Sequence, residues 1–474
     1  MVFVANEEML TTEELIKIII DEFLKSKERK WMVIGDQYYQ VENDIKNRKM
    51  IRYDEAQRPV VDEGKANNRL CHSFMHLFVE DKINYLLSRP YTLSVEDETS
   101  IDQVTKILGE NFQRKLIKLG REASNKGIAW LLPYIGKDGV FQTMTVPSEQ
   151  CIPVWSNNEH EQLDAFLYFY EMDAYIGKEK KVITKIEYYT DNGVEFYVLE
   201  DGEVKLDSER YLKRLPDGTY TEIEKMGHFF VDDVAMSWGK IPAIPFKNND
   251  HELPDIKFIK TLIDDYDKTR SDISNTLEEI RSVIFGLKGY GGQNLAEFMR
   301  DLSYYRAVLL DEDGEIETYN PELDIAAAKE HFTALKEDIY NLGQAVNKSS
   351  DRVGSNSSGV ALKFLYSGLD LKCNSMESNF QWAFRELLYF VEQYQKVIGQ
   401  SETLQGVSIV FNRDIQINET EAVTNCLQSK GVISNKTIIE NHPFVTDAMK
   451  EMEQIEKENQ VETEMFPKGV GDET

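Results

Sequence analysis

A chain of 474 residues, 41% of them hydrophobic, can bury a large core and is long enough for roughly two to four domains. Its 83 acidic against 54 basic residues, a formal net charge of −29, exclude a protein that coats nucleic acid by counterion release or lies on an anionic membrane, so any DNA contact has to be local. Four scattered cysteines, Cys71, Cys151, Cys373 and Cys426, form no Cys-x-x-Cys pair, which leaves out a disulfide framework and a zinc ribbon and fits a reducing compartment. The opening MVFVANEEML has no basic region ahead of a long apolar run, and no window approaches the ~20 apolar residues of a membrane span. The expectation is a soluble chain that is neither secreted nor membrane-bound.

From about residue 11 to 130 the spacing predicts helices. TTEELIKIIIDEFL opens with capping threonines, Arg69 to Leu87 has apolar residues at helical intervals, and Ser100 to Asn125 follows, with Pro90 and YTLSV as an interruption. From about 127 to 247 strands are expected: GIAWLLPYI, DAFLYFYEMDAYI, VITKIEYYT, VEFYVLE and GHFFV, separated by Asp-Gly and Asn-Gly turns. Next come Ile256, Ile259, Ile263, Tyr266, Ile273, Leu277, Ile280 and Ile284, three and four apart in a heptad broken only at Arg270, which predicts a long helix from Pro254 to about 284. A second seam of Ala328, Phe332, Leu335, Ile339, Leu342 and Val346 predicts another from about 322 to 346. Between them SVIFGLKGYGG, a short helix NLAEFMRDLSYY and the strand-turn-strand AVLLDEDGEIETY form a small α/β tip on a helical hairpin. A polar loop, a third long helix from Val360 to Ile398, the strand VSIVFNR and a helical C-terminus complete a mainly helical α+β chain. In that C-terminus Asn418 with Glu421 makes a capping box, Gly431 ends one helix and Ser434 caps the next.

The loop VNKSSDRVGSNSSGVALKFLY (346–366) sets Gly354 and Gly359 at the spacing of a phosphate-binding loop. Such a loop follows a strand and needs Lys and then Ser or Thr after the second glycine; here a helix precedes it and Val360 and Ala361 follow, so no nucleotide site is expected. His72 and His76 share a helix face beside Cys71, but the HExxH glutamate and a third ligand are missing, which favours packing or surface histidines over a metal. The acidic runs DEDGE (311–315) and EKENQVETE lack the alternate ligand spacing of a calcium loop. With no Ser/His/Asp or Cys/His grouping either, neither an enzyme, a cofactor nor a metal is predicted. A folded insert at the far end of a helix pair suggests instead a tip held away from the body for use.

In order, the elements are an α+β body, a long helix, a small tip, a returning helix, a polar loop, a third long helix and a helical C-terminus. This order resembles the portal proteins of tailed bacteriophages, most closely the siphophage type of Gram-positive hosts. The stretches that carry the resemblance are GIAWLLPYI (127–135), IPAIPFKNNDHELPDIK (241–257), SSGVALKFLYSGLDLK (357–372) and GVISNKTIIENHPFVTD (431–447), and it spans nearly the whole chain. It implies a wing of residues 1–253, stem helices at 254–284 and 322–346, a clip at 285–321, a tunnel loop at 347–358, a long wing helix at 359–405 and a crown at 406–474. It also implies a ring, usually of twelve subunits, at one capsid vertex. Through that ring the terminase large subunit drives double-stranded DNA in, and through it DNA leaves. A head-completion adaptor and the major capsid and scaffolding proteins are the further partners implied.

In that frame Ile256, Ile259, Ile263, Tyr266, Ile273, Leu277, Ile280, Leu335, Ile339 and Leu342 pack the stem. The clip residues Ile284, Phe285, Leu287, Tyr290, Leu309 and Leu310 meet neighbouring copies, terminase and adaptor. Asn347, Lys348, Ser349, Ser350, Asp351, Arg352, Gly354, Ser355, Asn356, Ser357 and Ser358 face DNA. The alternatives are another structural protein of the phage head or tail and an ATP-driven DNA translocase, for which a Walker pair is lacking.

The residues agree with the portal frame. Positions 254 to 346 hold 19 acidic and 10 basic residues, so a passage lined by them repels phosphate and lets a duplex slide. The loop adds Lys348 and Arg352 against Asp351, a weakly basic collar whose serines and asparagines contact phosphates without reading sequence, while Gly354 and Gly359 let it bend. A hairpin with apolar residues on both outer flanks cannot bury them alone, so head-to-tail closure of several copies is expected.

Overall fold

The computed structural model describes residues 10–94, 98–176, 179–214, 219–223, 226–279, 284–288, 315–319, 325–348, 359–400, 404, 406–413, 419–445 and 448–465. They fall into two compact units that interleave in sequence, one made of residues up to 80 with 118–343, the other of 81–117 with 344 onward.

In the first unit, helix Thr12–Lys25 starts with the capping box that its threonines predict. Thr11 Oγ1 accepts from the Glu14 amide at 3.2 Å, and Glu14 Oε2 accepts from the Thr11 amide at 2.9 Å. Its inward Ile16 and Ile20 share a cluster with Ile152, Leu167, Phe169, Ile186 and Tyr197, so the apolar stripe covers one face of a five-stranded antiparallel sheet. That sheet is a meander of Cys151–Trp155, Leu163–Ile176, Glu179–Tyr189, Val194–Glu200 and Glu203–Leu206. The Asn192-Gly193 and Asp201-Gly202 turns predicted from sequence join its last three strands, and Gly202 takes the left-handed φ of +85° that such a turn requires.

A second sheet has Ile128–Ile135 between Ile244–Lys247 and Phe141–Val146. Residues 128 to 133 are buried without alternation, and a central strand covered on both faces accounts for the unbroken apolar run of GIAWLLPYI. Gly127, just before this strand, has φ +89°, and a Cβ there would lie 2.0 Å from the Glu252 carbonyl oxygen. The tight approach brings residues 248–255 against the start of the strand. The Asn248 amide donates to Gly127 O at 2.9 Å, and Asn248 Nδ2 donates to Leu253 O and to the buried Asp255 carboxylate, each at 2.9 Å. The chain therefore leaves the sheet for its next helix through a tied joint.

That helix differs from the one predicted from Pro254. Residues Asp255–Phe258 form a 3-10 turn, Ile259 leaves helical geometry at φ −128°, and the α-helix runs Lys260–Glu279. Its partner, predicted over 322–346, runs Ile325–Leu342. After Gly343, where a Cβ would sit 2.7 Å from the Phe78 ring, Gln344 takes a left-handed φ of +51° that no helix continues through. The helix expected over Arg69 to Leu87 begins only at Phe74, and the one over Ser100 to Asn125 is two, Glu98–Leu108 and Phe112–Lys126, parted at Gly109 with φ +73°.

In the second unit the 39-residue helix Gly359–Val397 matches its predicted span within one residue. Cys373, Met376, Phe380, Ala383, Phe384, Leu387 and Val391 make its inward face. Strand Thr92–Ser94 pairs antiparallel with Ser408–Val410, joining chain segments more than 300 residues apart. The C-terminal helices are Glu419–Gln428, Asn435–Glu440 and Ala448–Met465; Gly431 has φ +86° and Ser434 Oγ caps the Thr437 amide at 3.2 Å, as predicted, whereas Asn418 lies outside the described residues.

Replacing Gly127 with alanine forces a side chain into a left-handed backbone and against the Glu252 carbonyl, and should lower unfolding free energy by about 2–3 kcal/mol. Urea unfolding that leaves the midpoint unchanged refutes the account of the joint.

Candidate functional site

The paired helices Lys260–Glu279 and Ile325–Leu342 pack much as their seams predict. Ile256, Ile259, Ile263, Leu335 and Ile339 are buried, and the Tyr266 ring lies 5.7 Å from Phe332 and 5.2 Å from Phe74. Arg270, the break in the heptad, is no defect, because its guanidinium sits 5.0 Å over the Phe332 ring and covers apolar surface while keeping its charge wet. Ile273 is half-buried; Leu277 and Leu342, in the last turns of their helices, are 52% and 59% exposed. Ile280 lies outside the described residues.

Hydrophobic periodicity does not reveal what holds the other side of the first helix. Asp267, Ser271 and Asn275, four apart, are buried, and they accept alternate amides of the extended segment ahead of helix Phe74–Leu87. The His72 amide donates to Asp267 Oδ1 at 3.0 Å, the Leu70 amide to Ser271 Oγ at 2.9 Å and the Asn68 amide to Asn275 Oδ1 at 2.6 Å. The two repeats are commensurate, since four helical residues rise ~6 Å and two extended residues ~6.6 Å. Asn43 Nδ2 also donates to Asp267, at 2.5 Å, His72 Nδ1 lies 2.6 Å from the same carboxylate, and Arg48 pairs with Asp272. This ladder explains the late helix start, because amides 68, 70 and 72 bond to it from an extended chain. It also places two of the candidate metal ligands: His72 bonds Asp267, and His76 lies against Tyr39 with ring centres 4.8 Å apart. A polar Asp-x-x-x-Ser-x-x-x-Asn stripe beside the apolar seam was the available signal.

At the far end of the helices, Ile284–Lys288 pairs antiparallel with Glu315–Tyr319, Ile284 opposite Tyr319 and Leu287 opposite Ile316. Phe285 shares this strand. Within one chain these two strands pair with each other. Tyr290, Leu309 and Leu310 lie outside the described residues.

The root of the polar loop belongs to the second unit. Val346 is buried, Asn347 half-buried, and Lys348 Nζ lies 2.9 Å from Asp81 Oδ1 beside a cavity of about 160 Å³ lined also by Asn84, Tyr85, Tyr366 and Leu369. Tyr85 donates to Asp370 at 2.6 Å, and burial together with that carboxylate pushes its phenol well above the usual range. Arg413, just beyond strand Ser408–Val410, reaches Asp370 and Glu377 at 2.5 Å each and so ties the C-terminal strand to the early turns of helix Gly359–Val397. Ser349, Ser350, Asp351, Arg352, Gly354, Ser355, Asn356, Ser357 and Ser358 lie outside the described residues.

Charge counting needs one refinement. Asp255 and Asp267 are buried, so two of the 19 acidic residues between 254 and 346 line nothing, and Lys257, with its ammonium 3.9 Å over the Trp31 ring, has its charge placed against an aromatic face. The excess of acid over base persists after both are set aside.

A helix pair bearing a strand tip, followed by a polar loop and a third long helix, defines a portal-type structural protein. The chain belongs to the phage portal protein family described as SPP1 Gp6-like, which matches residues 24–465. It is 31% identical over 435 residues to the portal protein of Bacillus phage SPP1, covering 91% of this chain and 84% of that one. It is 28% identical over 426 residues to the portal protein of Clostridium phage phiCD119, covering 86% and 88%. Among solved structures, a chain of the neck of a native GTA particle computed with C12 symmetry matches over 77% of this chain and 88% of its own, with a TM-score of 0.38 and 11% identity, a likeness too distant to argue from. As a portal protein the chain is a structural component of the phage virion involved in DNA packaging.

Ser271→Ala leaves the Leu70 amide without its acceptor and should cost about 1–3 kcal/mol of stability. Hydrogen exchange at Leu70 should accelerate at least tenfold, while protection unchanged from wild type would show that the ladder does not hold this segment.

Proposed function

We propose that copies of this chain close head to tail into a ring at one vertex of the capsid, forming the channel by which double-stranded DNA enters during packaging and leaves on infection. Membership of the portal family over residues 24–465 is the observation that carries this reading. The exposed Leu277 and Leu342 support it, since each helix of the stem leaves apolar surface that one chain does not cover and a neighbour can. The subunit number follows from the angle between neighbours.

In this reading residues 10–253 and the Gly359–Val397 helix form the wing, the Lys260–Glu279 and Ile325–Leu342 helices the stem, the strands Ile284–Lys288 and Glu315–Tyr319 the base of the clip, and the C-terminal helices the crown. An acidic passage wall repels the phosphates of the duplex and keeps it from sticking. Loop 347–358 supplies a narrow collar in which Lys348 and Arg352 attract the backbone and the serines offer neutral hydrogen bonds that position without reading bases. Lys348 then divides its charge between Asp81 and DNA, a weak pair at an exposed site and hence a reversible one. The clip presents its outer end to the terminase large subunit during packaging and to the head-completion adaptor afterwards, while the wing meets the major capsid and scaffolding proteins.

Two measurements test this. End-on electron micrographs of the purified protein should show rings with an axial opening wide enough for a duplex; a persistent monomer rules the reading out. In phage carrying Lys348→Ala with Arg352→Ala, packaged DNA per particle should fall severalfold while rings still assemble, and normal DNA content would remove the collar from the mechanism.

A further inference from the structure

The polar ladder holds more than the segment 68–72. It fixes the root of a two-stranded hairpin, Ile51–Tyr53 paired with Pro59–Val61. In this register Ile51 stands opposite Val61 and Tyr53 opposite Pro59, so all four side chains share one face, while Arg52 and Val60 occupy the other. That shared face is uncovered: Ile51 is 48% exposed, Tyr53 68% and Val61 50%, and Pro59 is exposed as well. A two-stranded hairpin with a bare apolar face is marginal in water, and contiguous apolar surface rimmed by charge marks a contact site. Its rim departs from the rest of the chain. Residues 46–65 hold six basic side chains against four acidic ones, although the whole chain carries −29. Among the described residues Lys49 and Lys65, which flank the two strands, have no carboxylate within ion-pair distance, and neither has Arg52 on the opposite face.

We propose that this hairpin is a docking surface for a second copy of the chain, its apolar face seated on the neighbour and its unpaired cations meeting the neighbour's acidic surface. The occupant follows from chemistry. A strongly acidic partner complements the cations, and another copy of a −29 chain is one; a DNA backbone would satisfy the cations yet leave Ile51, Tyr53 and Val61 against phosphate. The mounting suits the role, because Arg48 with Asp272 and the amides of 68, 70 and 72 anchor both ends of the hairpin to one rigid helix. The inference rests on the ring reading, with the hairpin as one of the elements by which neighbours grip.

The experiment uses the full chain with a benzophenone amino acid in place of Tyr53, mixed as isotope-labelled and unlabelled copies and irradiated after assembly. Covalent multimers whose cross-linked peptides join position 53 of one isotope to the other are expected. Rings that assemble but give no such inter-copy link overturn the hairpin proposal alone, as do links from position 53 confined to DNA or to another protein in whole particles. A wild-type chain that forms no rings sinks the ring reading, and this one with it. In a second arm Ile51→Ser, Tyr53→Ser and Val61→Ser are combined. The assembled fraction should drop at least tenfold at a concentration where wild type is fully assembled, with circular dichroism and the protection of amides 68–72 unchanged; full assembly of this variant also overturns the proposal.

Discussion

The Lys260–Glu279 helix is held by a match of two periods. Its apolar seam faces the returning helix, and its polar seam, Asp267, Ser271 and Asn275, meets amides two residues apart on an extended strand. An extended segment beside a helix would otherwise leave its inward amides without partners, and buried orphan donors are costly. The helix supplies acceptors at the right rise, so a long element that emerges from the sheet is fixed along its length as well as at its root. Everything carried by that helix, the strand tip at one end and the exposed hairpin at its flank, inherits its direction from this pairing and from the Gly127 joint.

Much of this was legible in residues. The threonines at 11 and 12 announced a helix cap, GIAWLLPYI announced a strand, and the isoleucines at 256, 259 and 263 announced which side faces in. Where the pattern misleads, a specific competitor wins. Arg270 breaks an apolar rule and satisfies a packing one by lying on Phe332. Amides 68 to 72 are drawn out of the helix that their side chains favour because a long-range partner outbids the local one. The same polar ladder was hidden because Asp, Ser and Asn on a helix are ordinarily taken as its wet side. The interleaving of the two compact units is a matter of contacts hundreds of residues apart, such as Thr92–Ser94 with Ser408–Val410, that no local pattern encodes. Of the loop site, only Asn347 and Lys348 were given a place by the structure, and the pairing of Lys348 with Asp81 requires knowledge of the fold.

The charge distribution has an economy of its own. Buried acids such as Asp267 and Asp255 serve as hydrogen-bond acceptors for the fold, while cations such as Arg270 and Lys257 rest on aromatic rings. Burial takes the acids off the surface, whereas Lys257 and Arg270 stay exposed on their rings, so the exterior carries fewer acidic residues than composition implies. In the channel proposed above, a repulsive exterior with few sticky exceptions would let a polyanion pass without being held.

The strand pair that joins Thr92–Ser94 to Ser408–Val410 bears on how the molecule is made. The first unit has all its residues once position 343 has been synthesised, whereas the second lacks an edge until position 410 emerges, 67 residues later. At ordinary translation speeds that is a lag of roughly 3 to 13 s, in whose final part Phe380 has been made while its ring partner Phe411 has not. Nascent chains on one message therefore pass through a stage with a finished first unit and an open second one, and the ribosome itself, by withholding Ser408–Val410, sets the earliest moment at which that strand pair can close.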